Sequence, residues 1–188
     1  MSIILASASP RRRELLELSG REEFYVMNCN VDETVENWTS SAQFVREIAR
    51  RKAQHAIDTM ARDFDVVISA DTAVFVDGKA LGKPNGPGEA LDMLTALSGR
   101  THEVCTAVCV GNKERIEVRH QSTLVTFRPL TRDEILEYIA TGEPLDRAGA
   151  YAIQGGAARF VTGIEGDYFS VVGLPVCMSD QMLKEFGV

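Results

Sequence analysis

Ile3-Ile4-Leu5-Ala6-Ser7-Ala8-Ser9-Pro10-Arg11-Arg12-Arg13-Glu14-Leu15-Leu16-Glu17-Leu18-Ser19-Gly20 opens the chain on a strand, a turn and a helix. The first three residues are apolar and β-branched or aliphatic, the pattern of a short buried strand. Ser9 before Pro10 reads as an N-cap followed by proline at the first helical position. Leu15, Leu16 and Leu18 continue the helix, and Gly20 stops it. A strand feeding directly into a helix is the unit from which α/β sheets are built.

Outward from this unit, helix and strand patterns alternate. A second helix spans about Ser41 to Ala61, with Phe44, Val45, Ile48, Ala49, Ala53, Ala56, Ile57 and Met60 on one stripe. Val66-Val67-Ile68 reads as a buried strand leading into Ser69-Ala70-Asp71-Thr72. Ala73 to Val76 continues extended into the hairpin signal Asp77-Gly78. Pro87 to Leu97 is a helix ended by Gly99. Strands follow at about Glu103 to Val110 and Glu117 to Phe127. Thr131-Arg132-Asp133-Glu134 forms a capping box for a helix to about Ala140, closed by Gly142. Short strands are expected around Ala150 to Ile153 and Arg159 to Val161. Leu174-Pro175 opens the last helix, which ends near Phe186. Together these patterns predict an α/β protein with a mixed sheet, too irregular for a simple doubly wound one.

Composition bounds the function. The chain has 188 residues, 45% hydrophobic and 25% charged, with a net charge of -7 and a pI near 5.0. An acidic surface repels a nucleic-acid backbone, so no nucleic-acid partner is expected. No run approaches the roughly 18 apolar residues of a membrane span. The first ten residues lack the basic start and apolar stretch of a signal peptide, so a cytoplasmic location is expected. Cys29, Cys105, Cys109 and Cys177 form no C-x-x-C pair and read as free thiols.

Several residues can carry chemistry. Arg11, Arg12 and Arg13 crowd a helix start, where the dipole makes each cation cost roughly 0.3–1 kcal/mol. A bound anion removes that conflict. Free N–H groups, the Ser7 and Ser9 hydroxyls and planar guanidinium groups suit a phosphate. The same cluster also reads as a solvated basic helix start with Glu14 and Glu17 as partners. Asp71 follows a buried strand and can bind a divalent metal or act as a general base; it can equally cap a turn. Asp32-Glu33, in a loop, offers further carboxylates. Lys52 lies in register with the apolar stripe of its helix and either snorkels outward or points into an anionic pocket. Lys83, in Gly82-Lys83-Pro84, can do the same. Gln154 precedes Gly155-Gly156, where a side-chain amide offers a donor and an acceptor to a base edge or serves the structure alone. His55, His102 and His120 have no partner spacing and read as structural or surface residues.

Taken together, Ile4-Leu5-Ala6-Ser7-Ala8-Ser9-Pro10-Arg11-Arg12, Val31-Asp32-Glu33-Thr34, Ala70-Asp71-Thr72, Gly82-Lys83-Pro84, Leu97-Ser98-Gly99-Arg100-Thr101-His102, Ala148 through Gly155 and Val171-Val172-Gly173-Leu174-Pro175 resemble the blocks of the Maf family, in order and over essentially the whole chain. The resemblance implies a Maf/Ham1 (ITPase-like) fold: a single domain, residues 1–188, with a mixed twisted sheet, helices, and two lobes flanking a central cleft. It implies hydrolysis of a nucleoside triphosphate to the monophosphate and pyrophosphate with a divalent cation, magnesium or manganese. Asp71 matches the family's catalytic acid, and Glu33 and Asp71 its metal-handling positions. Ser7, Arg11, Arg12, Lys52, Lys83 and Gln154 match substrate-handling positions. Arg11, Thr72 and Gln154 resemble the dTTP/UTP branch, with Thr72 also binding substrate, rather than the 7-methyl-GTP branch, which carries tryptophan, glutamine and glutamate there. Gly155-Gly156-Ala157 departs from the family where a basic residue is often found. The resemblance also implies a homodimer and a role in keeping non-canonical nucleotides out of nucleic acid. It leaves as rivals a pyrophosphatase for CTP, 7-methyl-GTP or modified nucleotides, and a nucleotide-sensing regulator of cell division.

Overall fold

A computed structural model describes residues 2–61 and 63–188. Among the described residues are seven strands, joined in one mixed sheet, and six α-helices. The strands are β1 (Ile3–Leu5), β2 (Phe24–Val26), β3 (Val66–Val76), β4 (Lys79–Leu81), β5 (Thr101–Gly111), β6 (Ile116–Phe127) and β7 (Val161–Glu165). The helices are α1 (Pro10–Leu18), α2 (Ser41–Thr59), α3 (Pro87–Leu97), α4 (Arg132–Ala140), α5 (Tyr168–Val172) and α6 (Val176–Glu185). The sheet order is β2-β1-β3-β5-β6-β7, with β4 paired to β3. β1 runs parallel to β2 and β3. β4 is antiparallel to β3, and β7 antiparallel to β6.

Two compact units emerge. Unit 1 comprises Met1–Asp71, Thr106–Gln121 and Gly173–Val188; unit 2 comprises Thr72–Cys105 and Ser122–Val172. In unit 1, β1 is fully buried and α2 lays Val45, Ile48, Ala49, Lys52, Ala53, Ala56 and Ile57 inward. That spacing is the apolar stripe of an amphipathic helix, with one lysine in it. In unit 2, Phe127, Tyr138, Tyr151 and Phe160 meet edge-to-face around the buried His102.

The structure changes several elements of the sequence reading. β3 is one continuous strand of eleven residues, ten of them buried, so Asp71 sits in its middle rather than at its end. Polar Ser69, Asp71 and Thr72 do not interrupt the strand because the inward pair finds partners: Ser69 Oγ donates to the Ala49 carbonyl at 2.7 Å, and Asp71 meets Lys52. β2 and α5 were not read from the sequence. The expected strand at Ala150 to Ile153 is absent. Gly149 (φ 67°) and Ala150 (φ 58°) take left-handed conformations that break extended structure. Residues 156–160 form a 3-10 turn, and β7 starts only at Val161. Ser9 holds the N-cap position of α1, but its side chain makes no capping bond. The capping box of α4 is formed as expected. All four cysteines are free.

Candidate active site

The site in unit 1 is built where α2 crosses β3. Ala49 faces Ser69, as described. Three residues further along the helix, roughly 4.5 Å, stands Lys52. Two residues further along the strand, roughly 6.7 Å and on the same face, stands Asp71. This register brings Lys52 Nζ to 2.8 Å from Asp71 Oδ1. The loop after β2 delivers Glu33, whose Oε1 lies 2.7 Å from the same ammonium. Lys52 and Asp71 are 8% and 6% exposed, whereas Glu33 is exposed. Lys52 therefore does not snorkel: it points inward, one cation between two carboxylates.

The turn after β1 completes the cluster. Ser7 is buried. Its Oγ accepts from the Ser9 N–H at 3.2 Å and from Arg12 Nη1 at 3.3 Å. Arg12 Nε donates to the Gly173 carbonyl at 2.9 Å. Arg12 is half-buried, and burial holds its pKa below the ordinary value while Asp71 pulls it back up. Arg11 is half-buried and has no hydrogen-bond or ion-pair partner among the described residues. No acid lies in the first turn of α1 and no side chain caps it. The expectation that Glu14 and Glu17 neutralise the cluster holds only for Arg13, which pairs with Glu17. Arg11 thus leaves positive charge at the helix start without a close carboxylate, which an anion would satisfy.

Electrostatics set the state of Asp71. Burial pushes its carboxyl above the ordinary carboxylate range, opposed by Lys52 and Arg12. A carboxylate shifted toward neutrality is better matched to accept a proton near neutral pH than an exposed one. Glu33 and Asp71 also suit a hard divalent cation. Their oxygens converge on one point, already taken by a cation, and such ions accept one or two carboxylates plus phosphate oxygens. No group of three or more His, Cys, Asp or Glu side chains forms a metal cluster among the described residues. Oxygen ligands from a substrate would have to complete the shell.

Unit 2 carries the remaining sequence-predicted residues. Thr72 follows Asp71 in β3 and so faces the opposite side of the strand. Lys83 is exposed and pairs with Asp146. Gln154 is exposed, and its amide makes no hydrogen bond among the described residues. The Gly82 carbonyl accepts from the Gly149 N–H at 3.0 Å, so the Lys83 turn and the segment leading to Gln154 are tied together. Two residues escaped the sequence reading: Glu143, which accepts from the Gly156 N–H at 2.9 Å, and Tyr138, which accepts from the Ala152 N–H at 3.0 Å. The three histidines are structural or exposed, as read: His102 is buried against Tyr151, and His120 is exposed.

The fold is α/β and resembles that of HAM1 proteins. A HAM1 protein from Coxiella burnetii superposes with a TM-score of 0.58, covering 98% of this chain and 99% of that one at 15% identity. The chain belongs to the Maf family, since the sequence profile described as Maf-like protein matches residues 2–186. A Bacillus pumilus protein named dTTP/UTP pyrophosphatase is 47% identical over 186 residues, 99% of this chain and 97% of its own length. A Moorella thermoacetica protein of the same name is 50% identical over 188 residues, 99% and 95% of the two chains. Among the described residues no helix is long and apolar enough to cross a membrane.

Proposed function

We propose that this protein hydrolyses dTTP and UTP to the nucleoside monophosphate and pyrophosphate. The observation that carries the reading is the ion cluster of buried Asp71 and Lys52 with exposed Glu33, near a helix start where Arg11 has no ion-pair partner among the described residues. The full-length likeness to proteins named for that activity supports the substrate class.

In this reading the triphosphate lies against the start of α1. Arg11, which has no hydrogen-bond or ion-pair partner among the described residues, and Arg12, fixed by Ser7 and Gly173, present guanidinium planes to phosphate oxygens. Lys52 and Lys83 add positive charge. Lys83 leaves its exposed partner Asp146 at little cost, since such pairs are worth about 0–1 kcal/mol. Glu33 and Asp71 would hold a magnesium or manganese ion, which when bound polarises phosphate oxygens and offsets charge on the leaving group. Asp71 takes a proton from a water whose oxygen bonds to the α-phosphorus. The bond from that phosphorus to the bridging oxygen breaks, and pyrophosphate leaves. Thr72 and Gln154 read the pyrimidine, Gln154 through an amide that no protein group occupies. The chain acts as a single Maf-like domain, a cytoplasmic homodimer with no nucleic-acid or membrane partner, and its reaction keeps unwanted nucleotides out of nucleic acid.

The test is pyrophosphate release from dTTP, UTP, CTP and 7-methyl-GTP, with magnesium and with manganese, for the native chain and Asp71→Asn. We expect dTTP and UTP to be preferred, and Asp71→Asn to lose about 10²–10⁴ of the rate, the span of general base catalysis. Near-normal turnover of Asp71→Asn would remove Asp71 from the mechanism. Preference for CTP or 7-methyl-GTP would overturn the substrate assignment, and binding without turnover would make the protein a sensor.

A further inference from the structure

Gln154 is exposed and unpartnered, yet the backbone that presents it is held on both sides by one pair of residues. Glu143 begins a 3-10 turn after α4, Glu143–Asp146. Its Oε2 accepts the Gly156 N–H at 2.9 Å, two residues past Gln154. Its Oε1 lies against Gly155: a Cβ built on that glycine would sit 1.8 Å from this oxygen. Only a residue without a side chain lets the carboxylate approach so closely. Tyr138 of α4, fully buried, hydrogen-bonds the same carboxylate. Its hydroxyl oxygen accepts the Ala152 N–H at 3.0 Å, two residues before Gln154.

We infer that Glu143, backed by Tyr138, is a positioning residue for base recognition: it fixes the main chain on both sides of Gln154 and so aims the Gln154 amide at the pyrimidine edge. The inference rests on the reading that Gln154 contacts the base. A hydrogen-bonding site discriminates strongly between bases only when its polar group is held in place, because a mobile amide re-pairs with whichever base edge is offered. The clamp uses a charge-assisted bond to a backbone N–H, stronger than a neutral one, on a segment that contains no regular strand.

The experiment measures kcat and KM for dTTP and CTP in the native chain, Gln154→Ala, Glu143→Ala and the double variant. Thermal melting of each confirms folding. Glu143→Ala is expected to lower the dTTP-over-CTP ratio of kcat/KM about tenfold, the scale of one lost charge-assisted hydrogen bond. The change should appear mainly in KM for dTTP, because the reacting phosphate is elsewhere. In the Gln154→Ala background the same substitution should leave that ratio unchanged, a non-additivity diagnostic of residues acting as one unit. Glu143→Gln, which keeps an acceptor oxygen for the Gly156 N–H, should restore part of the ratio. Gly155→Ala, which displaces the carboxylate without touching it chemically, should mimic Glu143→Ala. If Gln154→Ala alters the ratio but Glu143→Ala does not, or if the two effects add independently, the positioning role is overturned and the base-reading role stands. If Gln154→Ala itself leaves the ratio unchanged, both fall.

Discussion

Acidification should destabilise this protein through one histidine. His102 is 2% exposed, packed edge-to-face against Phe127 and Tyr151, with Nε2 2.8 Å from the Tyr151 hydroxyl and Nδ1 buried without a partner. Protonation would place a charge in that aromatic shell with no acceptor for the second N–H, so burial pushes its pKa down from 6.5 to about 4. The unfolded chain binds the proton near pH 6.5; the folded chain does not bind it until about pH 4. Stability contributed by the neutral ring is complete above the unfolded value and is lost as pH falls through this window. Each pH unit in which only the unfolded chain holds the proton costs about 1.4 kcal/mol. Between about pH 6.5 and about pH 5, where exposed carboxylates are still largely ionised, the loss is about 2 kcal/mol. Urea unfolding followed by circular dichroism across that range measures it, with His102→Gln as the comparison. The variant starts less stable because it loses packing, but its free energy should be flatter by about 2 kcal/mol over the same interval. Equal slopes for the two proteins would mean that His102 takes up its proton in the folded state, and the argument from burial would fail.

Lys52→Met should cost about 3–5 kcal/mol of stability at alkaline pH, because it leaves the buried Asp71 carboxylate without its nearest cation. The deficit should shrink on acidification as Asp71 takes a proton. A loss under about 1 kcal/mol would mean that the cation is dispensable there. The rate should fall on the acid side of its pH profile at a value above the ordinary carboxylate range, because burial raises Asp71 and its ionised form is the proposed base. Asp71→Asn should lose that limb, and an unchanged limb would assign it to another group. Gly149→Ala should destabilise unit 2 by about 2–4 kcal/mol, combining left-handed strain with overpacking. A Cβ there meets Val74 at 2.8 Å, and Val74 is a stiff, buried side chain. Urea midpoints measure this, and a change under about 1 kcal/mol would show that the loop relaxes.

Much of unit 1 was legible in the sequence. The stripe of α2 gave both the helix and the anomaly of Lys52 within it, because a charged residue at an apolar period breaks a pattern that eight neighbours obey. Its partners were not legible. Asp71 is nineteen residues away, and nothing local states which rung of β3 faces which turn of α2. β3 was read in pieces for a related reason. A strand buried on both faces does not alternate, so Ser69 and Asp71 looked like an end when they were inward polar groups with distant acceptors and donors. β2 is three residues long, with Tyr25 and Val26 about half exposed, too short for any periodicity. Ala150 to Ile153 is a short apolar run in sequence but does not extend, because Gly149 and Ala150 take left-handed backbone conformations, and at Gly149 a Cβ would also meet Val74. Glu143 gave no signal because its role is a bond to backbone, and an acceptor for an N–H leaves no mark on the residue that donates.

Arg12 is held at its Nε by the carbonyl of Gly173, and Gly173 begins the last of the three separated stretches that make up unit 1. During synthesis all of unit 2 leaves the ribosome before residues 173–188 do. Arg12 is therefore translated well before the residue whose carbonyl anchors it. Until residue 173 has been added, the opening turn lacks this bond. A chain cut before residue 173 would lose the acceptor of the Arg12 Nε bond while keeping the Asp71, Lys52 and Glu33 side chains.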